Sequence, residues 1–158
     1  AMVERAVILT LDTKKKDDTI QAVVTLKNTL PHNAPTGAPF RNMFVRISGL
    51  DEAGKIVWTN YQKHPIKEDP KSMLRLVLLD DDGKPVPPPK ATQMGKDSRM
   101  APFEERDITY ELPAAGVKMV RAELFYDLLL PPMKDTVMKN VPAALKEPKV
   151  VAFAEKSL

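Results

Sequence analysis

The stretch Ile20-Gln21-Ala22-Val23-Val24-Thr25-Leu26-Lys27 decides the fold. Ile20, Ala22, Val24 and Leu26 alternate with Gln21, Val23, Thr25 and Lys27. A side-chain period of two over that length belongs to a strand with one face buried. The pattern recurs on both sides of it. Arg5 to Asp12 is a short β-branched segment closed by a polar turn, Thr13 to Asp18, whose run of lysines and aspartates reads as a solvated hairpin. Met43, Val45 and Ile47 share one face of another strand. Asp51-Glu52-Ala53-Gly54-Lys55 is a hairpin loop with glycine placed for positive φ, and Ile56-Val57-Trp58 returns from it. Met73 to Leu79 is apolar and runs into a turn at Asp80-Asp81-Asp82-Gly83-Lys84. Pro85 to Ala101 reads as a long extended loop. Ile108, Tyr110 and Leu112 alternate, as do Val120, Ala122, Leu124 and Tyr126; with a turn between them they read as paired strands.

These strands are amphipathic, and their connections are too short for helical crossovers, so a parallel sheet is excluded. The chain holds 15 prolines among 158 residues, roughly twice the usual share, which rules out a helical bundle. Helix-like spacing occurs only from Lys134 to Lys146, with Val137, Met138, Val141 and Leu145, and Pro142 breaks it. A short helix before that proline and a second turn starting at it are expected. Val150 to Phe153 is either a last strand or a docked tail. The length implies one domain. The expectation is an all-β, antiparallel β-sandwich of seven to eight strands over residues 3–132, with a helical or extended C-terminal tail, 133–158, packed on it.

Charge and composition exclude several functions. Twenty-four Lys and Arg against 21 Asp and Glu leave a scattered +3, which argues against a nucleic-acid or membrane-surface protein. No apolar run approaches the ~18 residues of a membrane span. Cysteine is absent, so this chain holds no disulfide, thiolate zinc site, iron–sulfur cluster, cysteine nucleophile or covalently attached c-type haem. Two histidines, His32 and His64, leave few parts for a triad or an all-histidine metal site. No nucleophile with an adjacent base and no phosphate loop is present, so an enzyme is not expected. Asp80 to Asp82 lacks the alternating spacing of a calcium loop and reads as a tight turn. His64, before Pro65 in a polar loop, reads as an ordinary surface residue. The eight methionines are dispersed and read as packing. Ala1-Met2-Val3-Glu4-Arg5 has no charged head followed by an apolar stretch, hence no signal peptide is expected there. If Ala1 is a cloning remnant before a chosen start, the chain is an excised piece of a longer protein.

Leu30 to Arg41 stands apart. It holds Pro31, Pro35, Pro39 and Gly37, so it is neither helix nor central strand. A loop this long and stiff is either functional or a fixed crossover between sheets. Pro31 and Pro35 restrict the backbone on both sides of His32, and Gly37 lets the chain turn back.

Several pieces follow one another in a telling order. Leu26-Lys27-Asn28 leads to His32-Asn33-Ala34-Pro35-Thr36-Gly37 and then Arg41. Asp51-Glu52-Ala53-Gly54-Lys55-Ile56-Val57-Trp58 comes next, then Asp97-Ser98-Arg99-Met100-Ala101-Pro102 and Tyr110-Glu111-Leu112-Pro113. Val120-Arg121-Ala122-Glu123-Leu124-Phe125-Tyr126, followed by Pro131-Pro132, completes the set. Over residues 5–132 this order resembles the haem-free, immunoglobulin-like β-sandwich domain found C-terminally in exported multihaem c-type cytochromes. The His-x-x-Pro-Thr-Gly core is its most specific part. The chain departs from the family in lacking a Cys-x-x-Cys-His region, and in having Pro31 where a glycine often precedes the histidine. The alternative to an excised piece is a free-standing relative that has lost the haems.

The resemblance implies a non-catalytic accessory domain of a multihaem electron-transfer protein, periplasmic or otherwise exported, that docks on a haem-bearing domain or cytochrome partner. No haem is bound covalently in this chain; the haem c would belong to a partner or to a missing N-terminal region. His32 is then the candidate axial ligand to a haem, since imidazole offers a neutral nitrogen to a vacant iron position. The other readings of His32 are a loop brace, bonded to neighbouring carbonyls, and a ligand to another metal. Arg41 and Arg99 either pair with a carboxylate such as Asp97 in a buried pairing of loops, the favoured reading, or contact a haem propionate. Pro35, Thr36, Gly37 and Asp97 form the loop scaffold, with Thr36 as a bracing hydroxyl. The competing function is a free-standing extracytoplasmic sandwich that binds carbohydrate or another protein.

Overall fold

The computed structural model describes residues 5–158, apart from the side chains of Pro132 and Leu145. The expected start of the sandwich at Val3, and the reading of Ala1 to Glu4, lie outside the described residues. Along the chain come β1 (Val7–Lys16), β2 (Thr19–Asn28), β3 (Asn42–Leu50), β4 (Ile56–Thr59), α1 (Pro65–Glu68), β5 (Met73–Leu74), β6 (Leu76–Leu79), β7 (Gln93–Asp97), β8 (Glu105–Pro113), β9 (Met119–Asp127), α2 (Pro131–Val137), α3 (Ala143–Lys146) and β10 (Lys149–Ser157). One sheet has the order β1-β2-β8; the other has β10-β9-β3-β4, with β5 also on β3; β6 and β7 form a separate hairpin. Every strand pairing is antiparallel. The molecule is an all-β sandwich.

Alternation fills the space between the two sheets. β2 buries Ile20, Ala22, Val24 and Leu26, β8 buries Ile108, Tyr110 and Leu112, and β9 buries Val120, Ala122 and Leu124. β3 is central and closely covered: of its nine residues only Arg46 is not fully buried. Gly49 on β3 marks a close approach, because a Cβ there would lie 3.0 Å from both Leu112 and Val117.

Four expectations change. β1 runs on through Lys14 to Lys16, paired with Gln21, Ile20 and Thr19, so the turn is only Asp17 and Asp18. Asp17 takes a left-handed φ of 49°, which suits a tight two-residue connection. β8 and β9 are not partners: β8 pairs with β2 and β9 with β3. The turn after Pro113 carries the chain from one sheet to the other, so both apolar faces meet across the core. β7 lies within the stretch read as loop. The described strands number ten rather than seven or eight, since Met73 to Leu79 divides into β5 and β6 and residues 149–157 pair along β9 as an edge strand.

Past Thr59 the chain leaves the sheet, and a side chain takes over. Asn60 accepts from the Ile47 amide and donates to the Val45 carbonyl, as a further β4 residue would. It also donates to the buried Asp69, which accepts from the Tyr110 hydroxyl at 2.7 Å. Burial and the Asp69 charge push the Tyr110 phenol up, so it remains a donor. This network ties residues 60–72 to both sheets.

Truncation of a central core residue checks the packing. Leu124→Ala should cost about 2–5 kcal/mol, read as a lower urea midpoint at unchanged slope; an unaltered midpoint contradicts the assignment of Leu124 to the core.

Candidate functional site

The histidine loop is built on Asn28, the last residue of β2, which is fully buried. Its amide nitrogen donates to the His32 carbonyl at 2.8 Å and to the Ala101 carbonyl at 2.9 Å. Its side-chain oxygen accepts from the Leu30 amide. Its own N–H donates to the Glu104 carbonyl. One carboxamide therefore fastens both the 28–41 loop and the 97–104 loop. Few other side chains could, since the site needs two donors and an acceptor together. Six residues on, Ala34 and Met100 exchange a reciprocal pair of backbone bonds at 2.9 Å. Ala34, Pro35 and Met100 are buried beneath.

On this base His32 is exposed. Its Nδ1 lies 3.2 Å from the Asn33 carbonyl oxygen. A carbonyl only accepts, so Nδ1 is the donor and the neutral ring keeps its lone pair on Nε2. In that tautomer Nε2 is the nitrogen open to a metal, and the hydrogen bond at Nδ1 orients the ring. His32 thus braces its loop and also leaves one nitrogen uncommitted.

The remaining scaffold residues are placed as follows. Arg99 forks onto Asp97, with Nε–Oδ1 at 2.9 Å and Nη2–Oδ2 at 2.8 Å, and the Asp97 carboxylate also accepts the Arg99 amide. The Arg99 bonds hold the Asp97 carboxyl below its ordinary range, and Asp97 raises Arg99 in turn. Arg41 does not share Asp97: its guanidinium packs on Gly37, whose φ is +90° and whose added Cβ would lie 2.8 Å from Nη1. Arg41 is in no ion pair among the described residues. Thr36 is exposed, and the bracing expected of its hydroxyl falls to Asn28.

Three residues of this end escape the sequence reading. Arg106 donates to Glu104 and to the Ser98 and Arg99 carbonyls. Burial works against the Glu104 carboxylate, but Arg106 and the Ala101 amide outweigh it and keep the carboxyl below its usual range. Phe103 holds a left-handed φ of 58° and is 63% exposed. Its amide donates to the Leu30 carbonyl, which places it beside the histidine loop. A bulky residue in that region stores about 1–3 kcal/mol of strain. An exposed aromatic at a strained position had no pattern in the sequence to reveal it.

His64 is not an ordinary surface residue. It is half-buried, its ring meets Phe44 edge-on at 5.0 Å, and its Nδ1 accepts the Ile66 amide as the cap of α1. The proton therefore sits on Nε2, which is buried without a partner. The two histidines hold opposite tautomers, and only His32 presents a lone pair outward. Glu68 steadies the same turn by accepting the Gln62, Lys63 and His64 amides, which lower its carboxyl.

No family model and no curated protein matches the chain. Among solved structures it is similar to a penta-heme cytochrome c552 from Thermochromatium tepidum, with 41% identity and a TM-score of 0.93. The match covers 99% of this chain and 40% of that cytochrome. A beta-glucosidase from Kluyveromyces marxianus aligns at 11% identity and a TM-score of 0.31, over 96% of this chain and 14% of that one, which carries no argument. Over nearly all its length, then, the chain is similar to two-fifths of a multihaem cytochrome c.

Two measurements check this geometry. Asn28→Ala leaves two carbonyls and an amide unpaired, and should cost about 2–4 kcal/mol while speeding hydrogen exchange at Leu30. An unchanged urea midpoint contradicts its role. Burial lowers the His64 pKa from 6.5. The unfolded chain therefore binds a proton there first, and stability falls as pH drops below about 6.5 toward the folded value. His64→Asn keeps a capping side chain and should flatten that slope; an equal slope in both proteins rejects the assignment.

Proposed function

We propose that this chain is a haem-free, non-catalytic, immunoglobulin-like domain of an exported, periplasmic multihaem electron-transfer protein. It docks on haem-bearing domains through the 28–41 and 97–104 loops. The observation that carries this reading is the match, at 41% identity, of nearly the whole chain to part of a penta-heme cytochrome. The chain has no cysteine, so any haem it meets is attached elsewhere.

In this reading His32 is the axial ligand offered to a partner haem. Its exposure, its outward Nε2 lone pair and its doubly fastened loop support that role. A ligand presented from another domain must already be ordered, because ordering it on binding would subtract from the bond. Arg41, packed on Gly37, and Arg99, whose fork leaves its Nη1 hydrogens outside the Asp97 pair, are the candidates for haem propionates. Phe103 supplies apolar contact at the same end.

The test is a titration of this chain into its haem-bearing partner, followed by the Soret band and by a direct binding measurement. The expected result is a shifted band with the unmodified chain and no shift with His32→Ala, which still binds. Association without a shift in the unmodified chain overturns the ligand role of His32; no association overturns docking.

A further inference from the structure

A second feature is shared with the far end of the 28–41 loop but is not lined by His32. A cleft of about 630 Å³ opens between β6 with the proline-rich run 85–88 on one side and α2 on the other. Phe40, Leu76, Met133 and Val137 contribute to a wall that is largely apolar. Its charged lining residues are Lys67 and Arg75, and no carboxylate lines it among the described residues.

Arg75 is the unusual member. It is half-buried, and its side chain is in no ion pair among the described residues. Burial pulls its pKa down, in the direction expected of a cation removed from water without a counter-ion. Elsewhere in the molecule Arg46, Arg99, Arg106 and Arg121 each face a carboxylate, whereas Arg41, also without one, packs on Gly37 of its own loop. A guanidinium stays charged at any working pH, so a half-desolvated one in an apolar cleft is a cost until an anion arrives.

We propose that this cleft binds a small molecule with an apolar body and one carboxylate, its carboxylate on the Arg75 guanidinium and its body against the apolar wall. The volume lies within the range of small-molecule sites, and apolar walls with one placed charge are their usual chemistry. The planar fork of Arg75 fits a carboxylate with two parallel hydrogen bonds. Lys67, exposed at the rim, adds a second positive charge. The proposal is independent of what His32 meets.

Calorimetric titration of the purified chain with decanoate, below its micellar concentration, tests it, with 1-decanol as the uncharged counterpart. Decanoate should bind, and both Arg75→Gln and the use of decanol should weaken binding by about 10- to 100-fold, the range for a charge-assisted hydrogen bond. Circular dichroism reports whether Arg75→Gln remains folded. Val137→Glu, at an exposed position of α2, places a carboxylate at the cleft without touching the core and should weaken decanoate similarly. No decanoate binding, equal binding of decanol, or undiminished decanoate binding in either variant overturns the proposal.

Discussion

One buried carboxamide governs the end of the sandwich where the histidine lies. Asn28 closes β2 with its side chain sealed from water, and its two amide hydrogens and one oxygen meet the His32 and Ala101 carbonyls and the Leu30 amide. Inside a protein such groups cannot be left unmatched, so the two loops take the positions that match them. An aspartate of the same shape would set a charge against two carbonyl oxygens. A leucine would leave all three partners unmatched. The exposure of His32, the buried Ala34–Met100 bridge and the strained Phe103 all rest on that constraint.

Two histidines in one chain show how little the residue type settles. Each ring has one nitrogen occupied by the backbone, but the partner of His32 is a carbonyl and the partner of His64 is an amide. The first arrangement leaves a lone pair in the open; the second leaves a proton in the interior. Coordination chemistry is open to one ring and closed to the other, and the difference lies in a single backbone atom.

The two cationic features of the fold differ in the same way. Arg99 and Arg106 are satisfied by carboxylates and carbonyls of their own loops, and they stiffen the end that carries His32. Arg75 has no such partner and faces an apolar cleft. A guanidinium among local acceptors builds a scaffold, whereas one held in an apolar wall creates a demand for an anion from outside.

The sandwich itself was legible from the chain, because period-two alternation at Ile20–Leu26, Ile108–Leu112 and Val120–Leu124 is a local property that any buried face imposes. The Asp51 and Asp80 turns were legible for the same reason: Gly54 and Gly83 take the positive φ their spacing suggests, and each aspartate accepts from its own turn. Strand partnership was not. β8 and β9 are adjacent in sequence yet lie in different sheets, since alternation states which face is buried and not which strand lies beside it. The pairing of Arg99 with Asp97 follows from a two-residue separation and could be anticipated. The burial of His64 against Phe44 joins residues brought together by folding, and so does the grip of Asn28 on Ala101, 73 positions away. Sequence by itself determined the alternating strands and glycine turns, the covalent exclusions and the stiff histidine loop, but not the strand count or β7. Only the tertiary structure decided that Asn28 grips Ala101 and that His64 is buried against Phe44 while His32 stays exposed, because those contacts join groups far apart in the chain.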